Sequence, residues 1–184
     1  MRHLPNIICL VRIALIWPIL ACLFAGRYEL TLVLFLVAAV SDGLDGWLAK
    51  RFGWQSQLGR FLDPMADKLL LVAVFLLLTW LGLVPRWLAI AVITRDFMIA
   101  IGAVIYRLRY GPLHGRPILS SKLNTLLQLV YILCVVVRAA FDEPPASLLQ
   151  ALAVATFATI LVSGWAYVRE YTGRALQHAA AARG

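Results

Sequence analysis

The chain has 184 residues, of which 62% are hydrophobic and only 14% charged, whereas a soluble domain carries roughly a quarter charged residues, so a water-soluble globule is excluded. The formal net charge of +8, from 17 Lys plus Arg against 9 Asp plus Glu, does not point to nucleic acid, because the basic residues collect at the ends of apolar segments where lipid headgroups lie. With about 20 apolar residues needed per crossing, the length accommodates about six spans, and the composition predicts an all-α integral membrane protein with a single membrane-embedded domain over residues 1–184.

The first span covers about 4–25, with Pro5 near its start, where a missing amide costs least, and with Asn6 and Arg12 as polar positions. A second, about 29–51, follows the break at Gly26 and Arg27 and carries Asp42 and Asp45 in its last turns. Phe52 to Gln57 reads as a tight turn. The third span, about 58–81, holds Pro64, Asp63 and Asp67 near its start. After the break at Gly82 to Pro85 comes a fourth span, about 86–108, and then a basic loop with Arg107, Arg109, His114, Arg116 and Lys122 among Gly and Pro residues. The fifth span is about 118–140 and the sixth about 147–168, separated by Asp142 and Glu143 beside a double proline. The remaining tail is polar and Ala-rich and is expected to fray.

Cys9, Cys22 and Cys134 lie in apolar stretches with no CxxC spacing and read as buried free thiols. The first segment lacks a small-residue cleavage site and is read as a helix, not a signal peptide. The turn after the second span, the loop after the fourth and the tail are basic, while the other three connections hold only Arg27, Arg86 and Arg138. The positive-inside rule therefore puts both termini and the acidic turn on the cytoplasmic side, as expected for a bacterial inner-membrane protein. Trp17, Trp47, Trp54, Trp80, Trp87 and Trp165 mostly sit near predicted span ends and read as interfacial anchors, with Trp47 inside the acidic stretch.

That stretch, DGLDGWLAKRFGWQSQLGRFLDPMAD from Asp42 to Asp67, places four carboxylates in otherwise apolar helices. A buried unpaired charge in a bilayer costs several kcal/mol, so the acids need a cation. Asp42 and Asp45 are three apart and Asp63 and Asp67 four apart, and each spacing sets both side chains on one helix face. Antiparallel neighbours joined by a short turn bring both pairs to one depth, about one to two turns below the helix ends. Carboxylates that converge there either share protons or bind a divalent ion, and all-oxygen ligation favours Mg²⁺ or Mn²⁺. Such an ion typically bridges carboxylates to a phosphate-bearing substrate. Gly43, Gly46 and Gly59 clear side chains from beside the acids, and Lys50 and Arg60 add positive charge. Simple pairing of Asp67 with Lys68 and Asp45 with Lys50 is the bland alternative, and a cation or proton transporter is another, although no inverted repeat is evident.

Asp42, Asp45, Gly46, Ala49, Gly59, Asp63 and Asp67 resemble, in identity and spacing, the signature of the CDP-alcohol phosphotransferases. Lys50 stands where that family usually has Arg, keeping the charge but not the planar fork. The resemblance implies a six-transmembrane-helix bundle, often homodimeric. It implies two divalent ions held by Asp42, Asp45, Asp63 and Asp67, and a CDP-binding surface at Gly46, Ala49, Lys50 and Gly59. It further implies that Asp67 is the general base and that a phosphatidyl group passes from CDP-diacylglycerol to an alcohol with release of CMP.

The remaining intramembrane polar residues bear on the acceptor. Arg95-Asp96 in the fourth span, with Ser121-Lys122, Asn124-Thr125 and Gln128 in the fifth, resemble the branch of phosphatidylglycerophosphate synthase and CMP-forming cardiolipin synthase, closer to the latter. Phosphatidylglycerol is then the expected acceptor and glycerol 3-phosphate the alternative, with Arg95, Lys122 and Arg116 as acceptor-binding residues. Pairing of Arg95 with Asp96 alone, a plain loop charge at Arg116, and interhelical hydrogen bonding at Asn124 and Gln128 are the structural alternatives.

Overall fold

Six long α-helices account for nearly all of the described chain. A computed structural model describes the backbone of residues 4–52, 59–110 and 119–181, and side chains over 14–41, 68–106, 108–109, 121–169 and 172–173. The helices are α1 (Leu4–Phe24), α2 (Tyr28–Phe52), α3 (Gly59–Trp80), α4 (Arg86–Tyr110), α5 (Leu119–Phe141) and α6 (Ala146–Ala181). The turn expected over Phe52 to Gln57 and the basic loop with His114 and Arg116 fall mainly in 53–58 and 111–118, outside the described residues. The chain is an all-α membrane protein. Among the described residues, three stretches are long and apolar enough to cross a bilayer, Arg86–Tyr106, Ser121–Phe141 and Ala146–Arg169, with shorter apolar helical stretches at Ala14–Phe24, Tyr28–Ser41 and Lys68–Trp80. The tail read as frayed continues as helix to Ala181; its alanines have the highest helix propensity of any residue and extend a helix that is already nucleated.

Two compact units make up the chain, one from 1–84 with 132–145 and the other from 85–131 with 146–184. In the first, α1 packs against both α2 and α3. The buried side chains follow helical spacing: Ile19 and Leu23 on α1, Thr31, Phe35 and Ala38 on α2, Leu70, Val74 and Leu78 on α3. On the same α2, Val33, Leu36, Val37 and Val40 are exposed. Apolar residues all round a helix are a liability in water but the expected surface in lipid. Burying a Leu or Phe in such a contact contributes less here than in water, because lipid is as apolar as the core, and packing supplies the difference.

Three helix ends in this unit close with a left-handed residue. Gly26 (φ 70) and Gly82 (φ 76) follow α1 and α3. Their amides bond to Leu23 O and Thr79 O at 3.1 Å, and the next amides, of Arg27 and Leu83, reach Cys22 O and Leu78 O at 2.9 Å. This paired closure satisfies carbonyls that a helix end would otherwise leave bare. After α5 the left-handed residue is Asp142 (φ 58), whose amide bonds to Arg138 O at 2.9 Å. Arg138 secures that turn by donating to Pro144 O at 2.6 Å and lying 3.6 Å from the Asp142 carboxylate.

In the second unit α4 packs on α6. Trp87 meets Phe157 edge to face at 5.5 Å, Arg95 bonds to Ser163, and a Cβ on Gly164 would lie 3.4 Å from the Met98 side chain. Residue numbers rise together along both helices, so α4 and α6 run parallel. Gly164 thus faces Met98 across this interface at ordinary contact distance.

Candidate active site

The acidic motif lies on α2 and α3. Asp42 and Asp45 precede the α2 end at Phe52 by ten and seven residues, and Asp63 and Asp67 follow the α3 start at Gly59 by four and eight. At about 1.5 Å per residue each pair is set back roughly 6–15 Å from its helix end. Both elements carrying acids pack on α1. The side chains of Asp42, Asp45, Ala49, Lys50, Asp63 and Asp67, and the surroundings of Gly46 and Gly59, lie outside the described ones. By chemistry alone, carboxylates without His or Cys are the donor set that hard divalent ions prefer.

A cleft of about 460 Å³ opens at the other end of α2, bordered by residues 26–30 with Ala139 and Ala140. Leu30 and Asp42 are twelve residues apart on one helix, roughly 18 Å. The cleft is thus remote from the acidic motif.

The second polar concentration joins α4, α5 and α6. Arg95 is only 3% exposed. Its Nη1 donates to Asp96 Oδ1 at 2.7 Å, and its Nη2 donates both to Ser121 Oγ at 2.8 Å and to Ser163 Oγ. The expected pairing with Asp96 is present, but it accounts for one nitrogen of three. One turn further along α5, the buried Asn124 accepts a 2.9 Å hydrogen bond from Thr159 on α6. Ser121 and Ser163, then Asn124 and Thr159, give α5 and α6 an antiparallel register, which carried one turn on sets Gln128 level with Thr156. Both are buried. Among the described residues, Arg95 Nε, Asn124 Nδ2, Gln128 Nε2 and Thr156 Oγ1 have no hydrogen-bond partner.

Of the residues expected to bind acceptor, Arg95 is brought together with Ser121, while Lys122, the next residue, is exposed on α5 and Arg116 lies outside the described residues. Asn124 is an interhelical hydrogen-bonding group, as one alternative held. Cys22 and Cys134 are free thiols and only half-buried rather than fully enclosed, because their helix faces are partly open; Cys9 lies outside the described side chains. Trp17, Trp80 and Trp165 are largely exposed, which suits an interfacial position. The α6 residues Thr156, Thr159 and Ser163 were not singled out from sequence. Their three- and four-residue spacing was the available signal, and it matches Ser121, Asn124 and Gln128 on α5.

Residues 2–167 match the CDP-alcohol phosphatidyltransferase family. The chain is 33% identical over 186 residues to the CDP-diacylglycerol–glycerol-3-phosphate 3-phosphatidyltransferase of Bacillus subtilis, covering 91% of this chain and 94% of the relative. It is 32% identical to the CMP-forming cardiolipin synthase of Rattus norvegicus over 89% of this chain and 60% of that one. To the CMP-forming cardiolipin synthase of Streptomyces coelicolor it is 37% identical over 59% of this chain and 53% of the relative. A match spanning nearly the whole chain, with the seven signature positions set on two consecutive helices, makes this membrane protein an enzyme of the CDP-alcohol phosphatidyltransferase family.

Proposed function

We propose that the protein transfers a phosphatidyl group from CDP-diacylglycerol to phosphatidylglycerol, giving cardiolipin and CMP, and that the whole chain serves as one catalytic domain. The observation that carries the reading is the acidic signature at the α2–α3 ends together with the Arg95-Asp96 and Ser121-Lys122-Leu123-Asn124-Thr125 pattern, which resembles cardiolipin synthase. Family membership favours a transferase over a cation or proton transporter. Glycerol 3-phosphate is the second reading, favoured by the extent of the match to the Bacillus subtilis enzyme.

In this reading Asp42, Asp45, Asp63 and Asp67 hold two Mg²⁺ or Mn²⁺ ions, which when bound neutralise the donor's diphosphate. Gly46, Ala49 and Gly59 leave room for the cytidine diphosphate, and Lys50 places an ammonium beside it. Asp67 takes the proton from the acceptor hydroxyl, whose oxygen attacks the phosphorus carrying diacylglycerol. The bond from that phosphorus to the bridging oxygen breaks and CMP departs with the electron pair. Arg95, Lys122 and Arg116 bind the acceptor's phosphate. The site faces the cytoplasm in a bacterial inner membrane, and the protein works as a homodimer.

Release of CMP from CDP-diacylglycerol by purified protein, with each acceptor in turn, tests the reading. Turnover with phosphatidylglycerol and formation of cardiolipin is the expected result. CMP only with glycerol 3-phosphate overturns the cardiolipin assignment, and no CMP with either acceptor overturns the transferase reading.

A further inference from the structure

Arg95 presents an unusual distribution of partners for a cation buried between membrane helices. A guanidinium has five N–H donors in one plane. One Nη1 hydrogen meets the Asp96 carboxylate, and the Nη2 hydrogens are shared between two hydroxyls from different helices, Ser121 of α5 and Ser163 of α6. Neutral hydroxyls add little to charge balance, but two of them on one nitrogen, approaching from separate helices, fix the plane of the group. With that plane fixed, Nε is left without an acceptor among the described residues, although it is fully buried. A buried guanidinium nitrogen without an acceptor costs about 1–3 kcal/mol or more, a cost removed when an anionic oxygen arrives.

We propose that Ser163 is a positioning residue for acceptor binding: with Ser121 it pins Arg95 Nη2 between α5 and α6, so that Nε–H is presented to a phosphate oxygen of the acceptor. The inference rests on the reading of Arg95 as an acceptor-binding group. The ligand chemistry is a phosphate oxyanion next to a glycerol hydroxyl, supplied either by the phosphodiester of phosphatidylglycerol or by the phosphomonoester of glycerol 3-phosphate. Ser163 touches neither substrate nor reacting atoms and acts through Arg95. Its neighbour Gly164 lies on the side of α6 that meets α4 beside Met98.

The test is steady-state CMP release by the full-length protein, with phosphatidylglycerol in one arm and glycerol 3-phosphate in the other, for wild type, Ser163→Ala, Ser163→Thr, Ser121→Ala and Arg95→Lys. Ser163→Ala is expected to raise KM for the productive acceptor about tenfold, the size of one hydrogen bond to a charged group, with kcat and the KM for CDP-diacylglycerol little changed. Ser163→Thr, which keeps the hydroxyl, restores acceptor KM, and Ser121→Ala reproduces the defect should Ser163→Ala fail to fold. A Ser163→Ala protein with lowered Tm and kcat but unchanged acceptor KM overturns the positioning role. Should Arg95→Lys raise acceptor KM while both serine variants leave it alone, the positioning role fails and the acceptor reading stands. Unchanged acceptor KM in Arg95→Lys overturns both.

Discussion

The α2–α3 acidic motif and the α4–α5–α6 polar stripe are both insertions of polar groups into membrane helices, yet they are built in opposite ways. The motif concentrates four acids within 26 residues at the ends of two consecutive helices. Like charges at such density repel one another unless they share protons or a cation lies among them, and in the proposed reading that cation is a divalent ion. The stripe instead gathers one Arg, one Asp and several hydroxyl and amide groups from three helices, with Arg95 reaching partners 26 and 68 residues away. Its charges are largely answered within the protein. In the proposed reading one region is completed by bound ions, and the other answers most of its own charge while leaving a few donors, Arg95 Nε among them, without a partner among the described residues.

The largest expected effect falls on the first region. Asp67→Asn is expected to lower CMP release by about 10³-fold or more, the scale of a lost general base, with helicity and Tm unchanged; full activity would remove Asp67 from that role. Chelation with EDTA should abolish turnover, with Mg²⁺ or Mn²⁺ restoring it, and substituting Asp42, Asp45 or Asp63 by Ala should raise the metal concentration required. Metal-independent turnover would erase the contrast between the two regions.

For the stripe, the losses expected besides the rise in acceptor KM are in stability. Arg95→Met removes the cation facing Asp96 and should cost about 3 kcal/mol, as breaking a buried pair does, read as a lower Tm in detergent. Asn124→Ala removes the bond from Thr159 and should cost about 0.6–1.7 kcal/mol, the range for interhelical hydrogen bonds in membranes. The smallest effect is expected for Thr156→Val, which deletes a buried hydroxyl that has no partner among the described residues and should leave stability within about 0.5 kcal/mol or raise it. A loss as large as that of Asn124→Ala would mean that this rung is occupied, and the account of unspent donors would need revision.

The two regions also differ in how far they could be read from the chain. Asp42, Asp45, Asp63 and Asp67 are visible because their spacing coincides with the helical repeat and charge is rare in apolar segments. Thr156, Thr159 and Ser163 are not, because Ser and Thr are common in membrane helices and often spend their hydroxyl on their own backbone. Thr125 does so, bonding to Ser121 O at 3.1 Å, and so does Thr31, bonding to Arg27 O at 2.9 Å. Nothing in local sequence separates them from Ser163, which faces a guanidinium. Arg95 and Asp96 were suspected partners only by adjacency, and consecutive helical residues point about 100° apart; the long Arg side chain closes the gap.

Sequence alone determined the environment, the helical class and, through the acidic signature, the family, since hydropathy, helical period and residue spacing act locally. Tertiary structure decided which of many similar hydroxyls meet Arg95, that α4 and α6 run parallel, and which donors lack a partner among the described residues. Those depend on the register between helices far apart in the chain. That register is set by side-chain packing across interfaces that no local pattern encodes.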